Sequence, residues 1–306
     1  MEFHVFHIIT FLMLVVMGTN AAMLPSQLYW KSMLPNTTMP KAITNLLKPA
    51  AEVGYWSVAE VAPQQAGLIY LYAIAYFTIY ARAGHNMSNS ANFFLEKDFH
   101  DGKKLSMIFS KTNYNVSKFM PKEIADSIPL SSNKMENILH KFSIKKGSKE
   151  YKIVKNTIYE CEYKAIKGEE KLCVTSLESM VDFAISKLGN NVEAISTEVE
   201  KESNELQQYV ISKGVKKLGE DNKVVTCHTE KYPYAVFYCH KTNGTNAYFV
   251  PLESVDGNRV KAAAICHTDT SQWNPKHLAF QVLKVQPGTV PICHFLPQDH
   301  VVWVSK

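Results

Sequence analysis

Four of the six cysteines in this chain stand directly before histidines, and these Cys-His pairs are the residues best suited to do chemistry. Each pair ends or follows an apolar run of the kind that predicts a β-strand. Since successive side chains of a strand point to opposite faces, each pair sends sulfur to one face and imidazole to the other. The imidazoles predicted to share one side of a sheet are His228, His240, His267 and His294.

Neutral imidazoles at one place bind Cu(II), Zn(II) or Ni(II), and copper binds nitrogen donors most tightly in that series. A zinc finger would need free thiolates as ligands. In an oxidising compartment the sulfurs pair instead, so we predict a histidine-only copper site. The alternative is a set of structural disulfides whose neighbouring histidines end strands. The disulfide candidates are Cys161, Cys173, Cys227, Cys239, Cys266 and Cys293.

The first 22 residues predict that the chain is secreted. Residues 5–18 form an uncharged apolar run, and the small residues after it match a signal-peptide cleavage site following Ala21 or Ala22. An N-terminal membrane anchor is the alternative, but the run is shorter than the roughly 20 residues of a span. Four Asn-x-Ser/Thr triplets also fit secretion and are glycosylation candidates. They are Asn36, Asn86, Asn115 and Asn243.

The charge argues against a nucleic-acid partner. The net charge is +5, and the basic residues are almost all lysine, with arginine only at Arg82 and Arg259. Specific nucleic-acid readers depend on arginine for bidentate contacts. A lysine excess outside the cell suits a polyanionic wall surface, or is simply a solvated surface.

Three segments precede the region that carries the pairs. Residues 23–60, rich in proline and turn residues, are expected to form a partly ordered lead-in rather than a core element. Residues 66–81 are uncharged and Tyr-rich, but too short for a typical span, so we do not expect membrane contact there. The polar stretch 84–92 is the best domain boundary.

Helical patterns dominate the next hundred residues, after two short strands expected around a turn at Asp101-Gly102. One amphipathic helix begins near Met135, with Asn133 and Glu136 as its capping pair. A second reaches Cys161. A third is expected to begin with a Thr175–Glu178 capping box and to end at Gly189. A Cys161–Cys173 bridge would join the second and third helices, contributing roughly 3 kcal/mol.

Beyond about residue 190 the pattern changes to strands separated by turns, interrupted by one helix with Asn274 as N-cap and Pro275 at its first position. The predicted fold class is α+β, with short helices first and mainly antiparallel β-structure after them. The Cys-His pairs fall on the β part.

The spacing Cys-His-x10-Cys-His-x25-Cys-His-x25-Cys-His resembles the signature of the plant BURP domain. Further motifs carry the resemblance, among them "FFLEKDFHDGKK", "FMPKEIADSIPLSS" and "PGTVPICHFLPQDHVVWV". The likeness covers about residues 92–306 and is closest to dehydration-responsive and seed-associated members. It implies a signal peptide over 1–22, a lead-in and variable segment over 23–91, and a BURP domain over 92–306.

The resemblance implies two functions. Some members are copper-dependent peptide cyclases that crosslink Tyr or Trp side chains of a ribosomal peptide, and their copper ligands correspond here to His228, His240, His267 and His294. Others are apoplastic or cell-wall proteins linked to drought, abscisic acid or seed development. Expected partners are a wall polysaccharide or wall protein, or a peptide substrate. The expected location is the apoplast or cell wall, with the storage vacuole as an alternative.

The chain departs from the pattern of self-modifying cyclases, because it has no repeated core peptide. Two segments begin with Gln and end with Trp or Tyr, as a core peptide would, but chance also explains each match. They are "QLYW" (27–30) and "QAGLIYLY" (65–72). This favours the wall protein and leaves catalysis on another peptide open, with no catalytic residue assigned. Asp269 is either an acceptor that orients His267 or a turn residue. His277 and His300 are either further members of the metal site or, as we expect, residues at a helix start and on the surface.

Overall fold

A computed structural model describes residues 23–47, 93–109, 117–203 and 205–306. No helix in these four ranges is long and apolar enough to cross a membrane. Several features predicted from the sequence lie outside the described ranges. They are the signal peptide, the apolar segment 66–81, the linker 84–92 and the glycosylation candidates Asn86 and Asn115.

The described residues form a mixed α and β structure whose C-terminal half is mainly strands, as the sequence predicts. Its helices are α1 (Pro25–Met33), α2 (Lys41–Thr44), α3 (Lys122–Asp126), α4 (Met135–Lys141), α5 (Lys149–Glu162), α6 (Leu177–Leu188) and α7 (Leu278–Leu283). Its strands are β1 (Phe93–Leu95), β2 (Lys104–Met107), β3 (Glu169–Val174), β4 (Val192–Ile195), β5 (Glu198–Val199), β6 (Gln207–Ile211), β7 (Lys216–Leu218), β8 (Val224–Glu230), β9 (Val236–Thr242), β10 (Thr245–Ser254), β11 (Arg259–His267), β12 (Ile292–Phe295) and β13 (Val301–Ser305).

The strands form two antiparallel sheets. The larger sheet has the order β1-β12-β11-β10-β6-β2, with β5 beside β11 and β7 beside β10. The smaller sheet has the order β3-β9-β8-β13-β4. The two short strands β1 and β2 form as expected on either side of the turn at Asp101-Gly102. They do not pair with each other, because β1 joins β12 and β2 joins β6 at opposite ends of the larger sheet.

The inner faces of the two sheets pack against each other. Alternate residues of β8, β11 and β13, such as Val224, Ile265 and Val302, share one buried cluster between the sheets. The residues between them point outward into separate cores, because side chains alternate along a strand. The result is a sandwich with an inner gap and two covered outer faces.

The lead-in is part of the core, which corrects the expectation of a partly ordered segment. Trp30 of α1 is only 3% exposed, and its ring centroid lies 5.4 Å from that of Trp303 on β13. Its indole N–H donates to the carbonyl of Thr37 at 2.9 Å. Ile43 and Leu46 are buried in the same cluster. Residues 23–47 therefore cover the outer face of the smaller sheet together with α6.

Helices α4 to α6 form where the apolar periodicity places them, but their caps differ from prediction. The N-cap of α4 is Lys134, with no side-chain hydrogen bond, instead of the Asn133–Glu136 pair. The N-cap of α6 is Ser176, which exchanges hydrogen bonds with Ser179, one residue beyond the predicted box. Ser176 is fully buried, so its hydroxyl needs the partner that Ser179 provides. Gly189 ends α6 at φ +82°, as predicted.

Helix α7 begins three residues later than predicted. Asn274 closes an exposed turn by accepting from the N–H of Lys276. The N-cap is His277, whose Nδ1 accepts from the N–H of Ala279 at 3.2 Å.

All six cysteines are paired, in the bridges Cys161–Cys173, Cys227–Cys239 and Cys266–Cys293. The first was expected to join two helices. It joins the end of α5 to strand β3, since Cys173 lies in a strand that the sequence analysis did not predict.

Candidate metal centre

Two of the Cys-His pairs lie side by side on β8 and β9 of the smaller sheet. Cys227 faces Cys239 directly across the strands, and the bridge joins them. His228 and His240 each follow one of these cysteines, so both rings point to the other face of the sheet. Their rings meet diagonally there, and their Nε2 atoms lie 3.2 Å apart.

The other two pairs repeat this arrangement on β11 and β12 of the larger sheet. Cys266 faces Cys293 and is bridged to it. His267 and His294 lie on the opposite face, with ring centroids 5.6 Å apart and planes inclined by 19°.

The sulfurs point outward and the imidazoles point into the gap between the sheets. Cys227 and Cys239 belong to the core beneath α1 and α6, and Cys266 and Cys293 to the outer core of the larger sheet. The histidines share the inner parity of the cluster between the sheets. Each disulfide thus locks two neighbouring strands in register, and the register fixes the direction of two imidazoles.

The four rings lie within electrostatic reach of one another. The pKa of His228 lies well below its ordinary value, mainly because the ring is buried. Repulsion from neighbouring protonated rings lowers it further, and these rings are His300, His240, His294 and His267. The described histidines of the gap therefore influence each other's charge.

Burial also favours neutral rings elsewhere in the gap. It lowers the pKa of His294 to about 4, that of His267 well below the ordinary value, and that of His300 in the same direction. A neutral imidazole has a lone pair to offer, which is the form that binds metals.

Glu169 is the carboxylate that contacts this group. Its Oε1 accepts from Nδ1 of His240 at 2.9 Å and from the hydroxyl of Tyr238 at 2.8 Å, and its Oε2 accepts from the N–H of Ile166 at 3.1 Å. Burial alone would raise the pKa of Glu169. The hydrogen bonds and charge of its partners, led by His240, outweigh burial and lower that pKa to about 2.

His300 extends the group on the smaller sheet. It is 4% exposed, and its Nδ1 lies 2.9 Å from Nδ1 of His228. The rings of His300 and His228 meet edge to face with centroids 4.9 Å apart.

An aromatic cluster borders the pair on the larger sheet. The ring of Trp273 lies 5.0 Å from that of His267 and 4.7 Å from that of His277. Phe93 of β1 stands opposite His294 and contacts its ring edge to face at 6.4 Å. His267 and His294 are of intermediate exposure.

The imidazole nitrogens of the gap meet some requirements of a metal site but not all of them. Two nitrogens bound to one ion at about 2.0–2.1 Å in tetrahedral geometry lie about 3.3 Å apart, close to the 3.2 Å between His228 and His240. Thr245, directly opposite His267, has a buried hydroxyl with no hydrogen-bond partner among the described residues. However, no three His, Cys, Asp or Glu side chains in the described ranges are already gathered into a metal-binding group.

A family model for the BURP domain matches residues 92–305 of this chain. The chain belongs to the BURP-domain family. It is 53% identical over 225 residues to the BURP domain protein RD22 of Arabidopsis thaliana, covering 72% of this chain and 57% of that protein. It is 51% identical over 226 residues to BURP domain-containing protein 3 of rice, Oryza sativa subsp. japonica, covering 72% of this chain and 52% of that one.

A further rice relative aligns over a greater length. BURP domain-containing protein 5 is 42% identical over 299 residues, which cover 94% of this chain and 89% of that protein. By contrast, this chain spans little more than half the length of RD22 and of protein 3. The relatives share the BURP domain, and their names state no ligand or reaction.

Within the BURP domain, the structure brings the four histidines of the Cys-His pairs to one gap. It places Asp269 elsewhere, in an exposed turn where its carboxylate accepts from the N–H of Ser271 at 2.9 Å. That is the turn role given as one alternative. Among the described contacts, the carboxylate that touches a paired histidine is Glu169.

Two further histidines differ in how well the sequence predicted them. His277 caps a helix, as expected. His300 was expected at the surface, but it is buried because it precedes β13 with the same parity as the inward-facing Val302. That parity in "HVVWVS" was a usable signal for His300.

Two glycosylation candidates are exposed, one in the lead-in and one in the BURP domain. Asn36 is exposed in the turn after α1, and Asn243 is exposed in the turn between β9 and β10.

Proposed function

We propose that this chain is a secreted plant protein of the apoplast or cell wall, linked to dehydration, abscisic acid or seed development, that binds copper through its Cys-His histidines. The copper ligands are drawn from His228, His240, His267 and His294. One observation carries the proposal: two disulfides on facing sheets each hold a pair of imidazoles toward the same gap.

The chemistry of the gap supports copper over softer metal binding. Every cysteine is oxidised, so no thiolate competes for the ion. The lowered pKa values of His228, His267 and His294 keep nitrogen lone pairs available at neutral pH.

Titration of the full secreted chain with Cu(II) and, separately, Zn(II) tests the binding. We expect saturable Cu(II) binding that His240→Ala weakens at least tenfold, because that ring is one of the two with nitrogens at ligand spacing. His100→Ala is the matched control, since His100 is exposed and lies outside the gap. Equal affinity of the His240→Ala and His100→Ala variants would contradict the proposal.

A copper-dependent peptide cyclase is the second candidate, and the aromatic rings that contact the paired histidines favour it. A bound copper ion would supply redox chemistry at a Tyr or Trp ring of a peptide. On the protein side, the ring of Trp273 contacts that of His267, and the ring of Tyr238 contacts that of His240. The "QLYW" segment is poorly placed as the substrate, because Trp30 is buried in the fold.

The second candidate is tested with a synthetic peptide of residues 65–72, "QAGLIYLY", incubated with the copper-loaded chain and oxygen. Each crosslink removes two hydrogens from the peptide, with oxygen as the electron acceptor. Loss of two hydrogens in the peptide mass, absent with His240→Ala, supports the enzyme. If the peptide mass does not change although copper is bound, the chain does not crosslink this peptide, which supports the copper-binding protein over the cyclase.

A further inference from the structure

Glu169 begins β3 and lies across from β9, where Thr242 is its register partner. Its side chain is 9% exposed and is fixed by three donors: His240, Tyr238 and the N–H of Ile166. This carboxylate has little freedom to reorient, because both of its oxygens are engaged.

An ionised carboxylate accepts hydrogen bonds and donates none. Oε1 of Glu169 already accepts from the hydroxyl of Tyr238 and Oε2 accepts from the N–H of Ile166, so the geometry makes this carboxylate the acceptor in its contact with His240 as well. Nδ1 of His240 must therefore carry the proton that it donates to Glu169. The lone pair of a neutral His240 is then on Nε2, the atom that faces Nε2 of His228 at 3.2 Å.

The hydrogen bonds continue through two more rings. If His240 offers its Nε2 lone pair, His228 donates from Nε2 to it, and Nδ1 of His228 accepts from Nδ1 of His300 at 2.9 Å. With neutral rings, the contacts Glu169–His240, His240–His228 and His228–His300 then each have one donor and one acceptor. Nε2 of His228 can become a ligand only when the proton of His228 is on Nδ1. Nδ1 of His300 must then accept a hydrogen bond from Nδ1 of His228, so His300 must change its tautomer as well.

We infer that Glu169 and His300 are positioning residues for the histidine pair on the smaller sheet. Glu169 holds His240 in the tautomer that presents Nε2 to the gap, and His300 accommodates the tautomer that His228 needs. Metal-bound histidines are commonly oriented by a carboxylate on their other ring nitrogen. The inference rests on the proposed metal site for its functional meaning, but the tautomer of His240 is a property of the metal-free chain.

Nitrogen-15 NMR of the labelled, metal-free full chain at neutral pH tests the tautomer directly. We expect the Nδ1–H form of His240 in the wild type. Glu169→Gln should retain it, because the amide oxygen still accepts from Nδ1. Glu169→Leu should lose it and give mixed tautomers. Glu170→Gln is the control, since Glu170 is exposed and pairs with Lys187.

Cu(II) affinity of the same variants gives the second readout. Removal of an outer hydrogen-bond partner of a metal ligand commonly lowers affinity about 10–100-fold, and we expect this for Glu169→Leu. Glu169→Gln should lose less, and Glu170→Gln should bind within about twofold of the wild type. We expect His300→Phe, which fills the site without a ring nitrogen, to weaken binding about tenfold.

The outcomes separate the two claims. An Nε2–H tautomer of His240 in the wild type, or wild-type copper affinity in Glu169→Leu, overturns the positioning role. A wild-type chain that shows the expected tautomer but binds no Cu(II) overturns the proposed copper function and leaves Glu169 as the residue that orients His240. Circular dichroism of each variant checks the fold, and the isosteric Glu169→Gln keeps the test valid if Glu169→Leu fails to fold.

Discussion

The Nε2 atoms of His228 and His240 lie 3.2 Å apart, each one residue beyond a cysteine of the bridge that joins the same two strands. The bridge and the ring contact lie on opposite faces of one sheet. A covalent bond among apolar side chains on the outer face therefore sets the separation of two polar rings on the inner face. The same arrangement recurs with His267 and His294 on the facing sheet.

Removing the Cys266–Cys293 bridge should weaken both the fold and the proposed metal site. The bridge closes a sequence separation of 27 residues, for which chain entropy alone gives about 3.5 kcal/mol. We expect the Cys266→Ala/Cys293→Ala variant to lose about that much stability in urea unfolding. We also expect weaker Cu(II) binding, because the strand register no longer fixes His267 and His294.

The control for that prediction is a variant that is destabilised far from the gap, such as Trp30→Ala. If both variants lose similar stability and bind Cu(II) equally well, the bridge has no role in directing the histidines.

Trp30 should be one of the main anchors of the lead-in. It is 3% exposed, its ring lies beside that of Trp303 at a tilt of 39°, and its indole N–H donates to the carbonyl of Thr37. Replacing a buried tryptophan with alanine costs about 3–5 kcal/mol, so urea unfolding of Trp30→Ala should show a loss in that range. Leu28→Ala on the same helix, 54% exposed, should change stability by less than about 0.5 kcal/mol. Equal effects would mean that α1 is not held by its buried face.

We expect His277 to act as the N-cap of α7 and not as a metal ligand. Its Nδ1 accepts from the N–H of Ala279, so in the neutral ring Nε2 carries the proton and offers no lone pair. Asparagine is a favoured N-cap, and loss of a cap costs about 1 kcal/mol. We expect His277→Asn to retain stability and Cu(II) affinity, and His277→Ala to lose about 1 kcal/mol with affinity unchanged. A tenfold loss of affinity in His277→Asn would make His277 a ligand.

The metal-free chain should lose stability in mild acid. Burial lowers the pKa of His294 to about 4 and also lowers those of His228, His267 and His300. Unfolded histidine titrates near pH 6.5. The stabilisation is therefore complete above about pH 6.5 and is lost as the pH falls toward the folded-state pKa of each ring, which for His294 corresponds to about 1.4 kcal/mol per pH unit down to about pH 4.

Glu230 acts in the opposite direction, because burial raises its pKa to about 8 and its contribution falls as the pH rises above about 4.5. The stability that this one carboxyl adds as the pH falls offsets only part of the stability that the four histidines lose. Urea unfolding with a chelator at pH 7, 6 and 5 measures the slope, which His294→Gln should reduce. Stability that does not fall between pH 7 and pH 5 would contradict neutral, buried rings.

The strands of the C-terminal half were predictable because their apolar alternation is regular. Runs such as "VVTCH" and "AAAICH" place cysteine and histidine on opposite faces whatever the tertiary packing is. The convergence of the four rings also depended on how two separate sheets face each other. The strand pattern predicts the four rings on one side of a single sheet, and only tertiary packing decides between that arrangement and two facing sheets.

Glu169 was missed because its strand was missed. The segment "EEKLCV" carries two glutamates and a lysine, so it lacks an apolar alternation, and its pairing with β9 depends on the Cys161–Cys173 bridge and on neighbours distant in sequence. The caps of α6 and α7 shifted because burial of Ser176 and the position of His277 decided between several capable side chains. The lead-in was misjudged because its apolar residues are sparse until α1 and α2 bring Trp30, Ile43 and Leu46 to one surface.

Electron paramagnetic resonance of the Cu(II)-loaded full chain tests the central claim most directly, because coupling to nitrogen identifies and counts imidazole ligands. We predict a bound Cu(II) signal with coupling to at least two histidine nitrogens, which is lost or altered when His228, His240, His267 and His294 are all replaced by glutamine. An identical signal in that variant, or no bound Cu(II) in the wild type, would contradict the account.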